Sequence, residues 1–136
     1  MMPNILTFKY GEAIIYDKET KNFELKNPIA DIEVDNLPTQ YTFSCAFIIT
    51  GFDYSKENVV KYELISEDDI VLASGVVKLE AWTMPEGKEG AIYGVNIGVD
   101  YRNIFLSKNE KIITKIYFND EFINGFEINV ICKEVL

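Results

Sequence analysis

Two groups of three carboxylates are the parts of this sequence whose types and spacing could do chemistry. The groups consist of Asp31, Glu33 and Asp35, and of Glu67, Asp68 and Asp69. Carboxylate oxygens bind Ca²⁺, and two carboxylates that flank a cleft hydrolyse glycosidic bonds. The first group alternates with apolar residues, so on a strand its members would stand about 6.5–7 Å apart along one face. That spacing is too wide for all three to meet one ion, and we favour a charged, exposed strand edge.

The second acidic group falls between two apolar segments, a position typical of a hairpin turn because Asp forms turns readily. Ca²⁺-dependent domains collect their ligands from several loops and rarely from a single turn. We therefore predict no metal site and no cofactor. A Ca²⁺-dependent ligand binder or a carboxylate-based hydrolase is kept as an alternative function.

Most other catalytic machinery is missing from the sequence. Histidine is absent, which removes the commonest general base and the commonest metal ligand. No nucleophile motif or phosphate-binding loop supports any Ser, Thr or Lys. Arg102 could hold a ligand carboxylate or phosphate, but with 22 acidic residues in the chain we favour an internal partner. We predict no catalytic residue and a protein that is not an enzyme.

The charge balance limits the partners and the compartment. The 13 Lys and Arg residues against 22 Asp and Glu residues give a formal charge of −9, which argues against direct binding to nucleic acid or membranes. The start of the chain lacks a charged segment followed by a long apolar one, so no signal peptide is predicted. The expected location is the cytoplasm, or the host cytoplasm for a phage-encoded protein. Cys45 and Cys132 lack C-x-x-C spacing and are expected to be free thiols.

Alternating apolar and polar residues dominate the sequence and predict an all-β fold. The segments 41–50 and 91–101 show the pattern clearly. With the turn residues between such segments, about nine short strands are predicted, spaced like those of one antiparallel β-sandwich domain over residues 1–136. A change of inward register at residues 74–75 predicts a β-bulge. The predicted core residues are Phe43, Cys45, Phe47, Ile49, Val95, Ile97, Val99, Ile128 and Val130.

One strand face in the 91–101 segment indicates a binding surface, because it is almost without large side chains. Glycine within a strand allows another backbone or a ligand to approach closely. The loop 83–90, which contains Pro and Gly, leads into this strand, and a loop of this kind can adapt to a partner. The predicted binding residues are Trp82, Met84, Gly94, Asn96, Gly98 and Arg102.

The last third of the chain resembles a known group of proteins. Residues 95–106, followed by residues 109–121, resemble the closing strands of small bacterial and phage β-sandwiches of unknown function. In those proteins a strand and an Asn lead through a short apolar turn to a Gly-x-Tyr-x-Phe-x-Ile strand and a hairpin of the Asn-Gly-Glu kind. Here Asn109 stands where the family usually has Gly, and Lys111 where it often has an aromatic residue. The resemblance implies an immunoglobulin-like sandwich and no particular activity.

Together these features predict a non-enzymatic protein-interaction module that binds a protein partner or copies of itself, and that could form a homo-oligomer. A more specific alternative is an acidic inhibitor, encoded by a phage or mobile element. It would use its acidic groups to occupy the nucleic-acid site of a host nucleic-acid-binding or defence protein, as duplex phosphates do.

Overall fold

Two β-sheets face each other in the computed structural model of the protein, which describes residues 3–20, 22–83 and 94–133. Helices are absent from these ranges, so they hold no helix with the length and apolar character to cross a membrane. In chain order the strands are β1 (Asn4–Asp17), β2 (Asn22–Pro28), β3 (Asp31–Val34), β4 (Thr39–Thr50), β5 (Asn58–Ile65), β6 (Val71–Leu79), β7 (Gly94–Leu106), β8 (Glu110–Phe118) and β9 (Glu121–Cys132).

The strand order identifies the type of sandwich. One sheet has the order β2-β1-β4-β7, and the other has the order β3-β9-β8-β5-β6. The strand pairs are antiparallel except for β3 and β9, which run parallel. Immunoglobulin domains place strands B and E side by side in one sheet and strands C, F and G in the other, and β4-β7 and β5-β8-β9 occupy these positions. The predicted all-β, immunoglobulin-like sandwich is confirmed.

The core lies between the inner faces of the two sheets. Alternation along β4 sends Phe43, Cys45, Phe47 and Ile49 inward, and none of these side chains is more than 2% exposed. Burial of a large apolar side chain stabilises a fold by about 1.5–3 kcal/mol. The predicted core is confirmed, with Val95 half-buried against the same cluster and the other eight residues buried.

The β-bulge predicted at residues 74–75 does occur in β6, but nearer the start of the strand. Leu64 of β5 is opposite Ala73, whereas the next residue of β5 is opposite Val71. Leu72 is therefore the extra residue. Leu72 and Ala73 are both half-buried, so the inward face of β6 changes from even to odd positions at this point.

The β1–β2 hairpin folds over the outer face of the four-stranded sheet. β1 pairs with β4 as far as Gly11, and from Gly11 onward it pairs with β2. Beyond this point the hairpin places Ile14 and Phe23 against Gly98 of β7, although β4 lies between β1 and β7 in the sheet. Ser44 points to this outer face of β4 and is only 1% exposed. The four-stranded sheet is thus covered in part on both faces.

Candidate binding surface

An apolar groove lies at the end of the sandwich where β6 stops and β7 begins. We call it the aromatic groove. It has a volume of about 250 Å³, and among the residues that the structure describes its charged lining residue is Glu80. The lining residues are Phe52, Tyr54, Leu79, Glu80, Trp82, Gly94 and Val95.

Contacts between the β4–β5 connection and the segment after β6 hold the rings of the aromatic groove. The backbone N–H of Trp82 donates to the carbonyl oxygen of Tyr54 at 2.7 Å, and the two rings meet edge to face with centroids 6.0 Å apart. The Tyr54 ring lies 4.3 Å from that of Phe52, which contacts the buried ring of Phe118. Trp82 is therefore anchored to the core through a series of rings, while 42% of it stays exposed.

The structure brings two of the predicted binding residues, Trp82 and Gly94, together in this groove. A Cβ atom on Gly94 would collide with the side chain of Ile48 on the neighbouring strand β4. Glycine is thus required at this position because a side chain of the same chain approaches its backbone. Met84 lies outside the described residues, as does the loop 83–90 apart from its first residue.

The sequence had indicated that the glycine face of β7 is bare and open to a partner. In the structure this face is covered at Gly98. Asn96 is exposed, but Gly98 is half-buried. A Cβ atom on Gly98 would lie 2.6 Å from Ile14 Cδ1 and 3.6 Å from Phe23 Cδ1. The close approach predicted from this glycine does occur, but the group that approaches is the β1–β2 hairpin of the same chain.

Arg102 lies on the same outer face, farther along β7. Its guanidinium is 3.8 Å from a carboxylate oxygen of Asp100, and the Arg102 side chain is 77% exposed. The hydroxyl of Ser44 donates to the other oxygen of Asp100 at 2.6 Å. Arg102 therefore has an internal partner, and it is separated from Trp82 and Gly94 by most of the length of β7.

The first acidic group lies on a sheet edge. Asp31 and Glu33 belong to β3, the four-residue edge strand of the five-stranded sheet, and Asp35 follows this strand. Glu33 is 3.4 Å from the ammonium group of Lys133, and both side chains are more than half exposed. Within residues 3–20, 22–83 and 94–133, no three acidic or Cys side chains are placed to hold a metal ion. Charges on this short strand discourage pairing with another chain.

The second acidic group makes contacts within the chain. The Glu67 carboxylate accepts the backbone N–H of Lys111 at 2.8 Å, and the backbone N–H of Glu67 donates to the carboxylate of Glu110 at 2.9 Å. Asp68 is 2.8 Å from the ammonium group of Lys108. Asp69 has a φ of 61°, a turn conformation that Asp tolerates better than most residues. This group ties the β5–β6 turn to the start of β8.

A chain of hydrogen bonds inside the core is the main feature that sequence analysis missed. Thr114 Oγ1 is 3.1 Å from the Tyr101 hydroxyl and 2.7 Å from the Tyr10 hydroxyl, which is 2.7 Å from the Phe126 carbonyl. The Tyr10 hydroxyl donates to Thr114 Oγ1 and also lies within hydrogen-bond distance of the Phe126 carbonyl, whereas either hydroxyl of the Tyr101–Thr114 pair can be the donor. Burial raises the pKa of both tyrosines, and it raises the pKa of Cys45 to about 12. These buried groups therefore stay protonated at neutral pH.

Comparisons with known proteins find similar solved structures but no matching family. No family model matches the sequence, and a search of curated proteins finds no relative. An immunoglobulin-like protein from Pseudomonas aeruginosa is 10% identical, with 96% of this chain and 97% of that chain covered and a TM-score of 0.45. The alkylpurine DNA glycosylase AlkC from Pseudomonas fluorescens, bound to DNA containing an abasic site analog, is 14% identical, with 90% of this chain but 30% of that chain covered and a TM-score of 0.45. These values carry no information on function, and the strand order remains the basis for the fold.

Proposed function

We propose that this protein is a non-enzymatic interaction module and that its aromatic groove binds a side chain of a protein partner. The observation that carries the proposal is the exposed fraction of Trp82, 42%, in a groove whose other lining is mostly apolar. Trp and Tyr dominate the binding energy of protein interfaces when they sit beside a pocket that can be emptied of water. The buried hydroxyl groups of Tyr10, Tyr101 and Thr114 and the buried Cys45 thiol give no support to a catalytic role. The hydroxyl groups are hydrogen-bonded to one another, and the thiol stays protonated at neutral pH.

The chemistry of the groove indicates what kind of segment would fit. A groove of about 250 Å³ has room for one aromatic or long aliphatic side chain of a partner. Glu80 lines the groove, and the chain carries a formal charge of −9, so basic residues beside that apolar side chain would be attracted. The proposed partner is therefore a protein segment with one large apolar residue flanked by Lys or Arg.

The more specific alternatives gain no support from the described residues. A mimic of nucleic acid would need an uninterrupted acidic surface, but Glu33 and Asp68 are paired with Lys133 and Lys108. Membership of a bacterial or phage family of sandwiches stays part of the proposal. So does the absence of an enzymatic activity.

The test is capture of a partner by the full chain and by matched variants. Trp82→Ala removes the exposed ring, and Phe105→Ala removes a ring that is 57% exposed on another part of the surface. We expect a protein captured by the wild type to be lost by Trp82→Ala and retained by Phe105→Ala. For a central residue of an interface the loss is about 30-fold in affinity or more.

Fluorescence gives an independent readout, because Trp82 is the single tryptophan of the chain. Binding of the captured partner should shift its emission to shorter wavelength as the ring loses contact with water. Equal capture by the wild type and Trp82→Ala would contradict the proposed groove. Turnover of ester, phosphate or glycoside substrates that disappears on replacement of Asp31 or Glu33 would contradict a non-enzymatic role.

A further inference from the structure

The aromatic groove contains a carboxylate that the described part of the fold does not use. Glu80 directly follows β6, is exposed and lines the groove. Within residues 3–20, 22–83 and 94–133 its side chain has no ion-pair or hydrogen-bond partner. The other described lining residues are uncharged, so this carboxylate gives the groove a preference for a positively charged group.

Trp82 lines the same groove two residues after Glu80. Its backbone N–H is bound by the carbonyl of Tyr54, and its ring meets the Tyr54 ring at an interplanar angle of 74°. A ring that is held in place before binding loses little freedom when a ligand arrives. Tryptophan is also the aromatic residue that attracts cations most strongly, over a distance of about 6 Å from the ring centroid.

The chain contains a complete example of a cation shared between a ring and a carboxylate. On β5 and β8, Lys61 Nζ lies 5.6 Å from the centroid of the Tyr117 ring and 4.0 Å from the carboxylate of Glu63. In the aromatic groove the ring and the carboxylate are again present, but no Lys or Arg is found among its described lining residues. The comparison indicates that the cation for this groove comes from a partner.

We infer that the aromatic groove binds an arginine of the protein partner, with the guanidinium on the Trp82 ring and its N–H groups donating to the Glu80 carboxylate. The inference rests on the proposed function and deepens it, because it selects arginine among the basic residues that flank the apolar side chain. Glu80 is the residue that determines this specificity.

Arginine suits the groove better than lysine for two reasons. The guanidinium is planar, so it stacks on an aromatic ring, and its fork of N–H donors matches a carboxylate. It is also more weakly hydrated than an ammonium group, and its removal from water costs less. A lysine would lose strong hydration in a groove whose described lining offers one carboxylate and is otherwise mostly apolar.

The experiment compares three peptides as ligands of the full chain. They are acetyl-Leu-Arg-amide and the same peptide with citrulline or lysine in place of arginine. Citrulline has nearly the shape of arginine but no charge. Backbone amide chemical shifts give the dissociation constants. We expect the arginine peptide to bind about fivefold or more tightly than the citrulline peptide, and more tightly than the lysine peptide.

Glu80→Gln tests the carboxylate, since it removes the charge and keeps the shape. It should reduce the preference for arginine over citrulline to about twofold or less, with the melting temperature unchanged because the side chain is exposed. The matched control is Glu24→Gln on β2, which removes another exposed carboxylate that has no ion-pair partner among the described residues. This control should bind all three peptides as the wild type does.

Several results would overturn the inference. They are equal binding of the arginine and citrulline peptides, binding of lysine as tight as that of arginine, equal effects of Glu80→Gln and Glu24→Gln, and no binding of any peptide. Supporting evidence from a second variant would be a smaller preference for arginine in Trp82→Leu, which keeps an apolar side chain but removes the ring.

The captured partner separates this inference from the proposed function. A partner that is lost by Trp82→Ala but bound equally by the wild type and Glu80→Gln would overturn the arginine site and leave the proposed groove standing. A partner that binds Trp82→Ala as well as the wild type would contradict both. Weaker capture by Glu80→Gln than by Glu24→Gln would support both.

Discussion

Replacement of Gly98 tests whether the β1–β2 hairpin is packed on the outer face of β7. A Cβ atom at this position would lie 2.6 Å from Ile14 Cδ1, about 1 Å closer than the ordinary carbon–carbon contact. The Ile14 atom is the end of a movable side chain. We therefore expect Gly98→Ala to be almost neutral, because rotation of Ile14 relieves the contact and a less flexible unfolded chain offsets about 0.4–1 kcal/mol.

A large side chain at Gly98 cannot be accommodated by that rotation. Gly98→Phe should overpack the interface between hairpin and sheet and destabilise the protein by about 1–3 kcal/mol. For a chain of this length the melting temperature falls by about 3–5 °C per kcal/mol, which gives a decrease of about 3–15 °C. Asn96→Phe is the matched control, because Asn96 is exposed two residues earlier on the same face, and it should change stability by no more than about 0.5 kcal/mol.

A double-mutant cycle identifies Ile14 as the group that Gly98→Phe displaces. Ile14→Ala alone should cost about 1–2 kcal/mol, since the side chain is half-buried. In that background Gly98→Phe should cost at least about 1 kcal/mol less than in the wild type, because the ring can use the vacated space. Urea unfolding measures the cost of Gly98→Phe in the wild type and in the Ile14→Ala background. An equal cost in the two backgrounds, or an equal cost for Asn96→Phe and Gly98→Phe, would refute the packing of the hairpin on β7.

Two further predictions concern the buried hydrogen-bonded chain. Thr114→Val removes the hydroxyl that is hydrogen-bonded to Tyr101 and should cost about 1–3 kcal/mol in urea unfolding, whereas Thr114→Val combined with Tyr101→Phe should cost less than the sum of the single changes. Burial raises the pKa of Tyr10 and Tyr101 in the folded state, so above pH about 10 the unfolded chain releases protons that the folded chain keeps. Below that pH these groups should not affect the free energy of unfolding, and above it the free energy should fall by about 1.4 kcal/mol per pH unit for each tyrosine. Tyr101→Phe should make this decrease less steep. An unchanged slope in Tyr101→Phe would contradict the assignment of the pH dependence to the buried tyrosines.

The sequence predicts the core strands well because one-residue alternation is a local property. Each side chain of Phe43–Ile49 faces the core or not according to its own parity, and no knowledge of distant residues is needed. The cover over Gly98 was not predicted because it depends on where the β1–β2 hairpin folds back. The four consecutive apolar residues Ala13–Tyr16 were only a weak signal, because Ile14 is half-buried against Gly98 while Ile15 and Tyr16 are 49% and 50% exposed.

The candidate site was predicted only in part, because some of its residues come from segments that are distant in the sequence. Trp82 and Gly94 were expected together because each flanks the same loop in the sequence. The contribution of Tyr54 comes from a connection that precedes β5, and only the three-dimensional arrangement reveals it. Thr114 interrupts the apolar inner face of β8, which marks it as unusual, but its partner Tyr10 lies 104 residues away and cannot be found from local pattern.

The parallel pair of β3 and β9 has a consequence for how the protein is made. Asp31 and Asn129 pair in register although they are 98 residues apart, so among the described residues β3 has no partner strand until β9 has been synthesised. Contacts of such long range slow folding because the chain must close a large loop before they form. Until β9 has been synthesised, the apolar side chains of Ile32 and Val34 have no partner strand, and we expect the charges of Asp31 and Glu33 to oppose association of this segment with other chains.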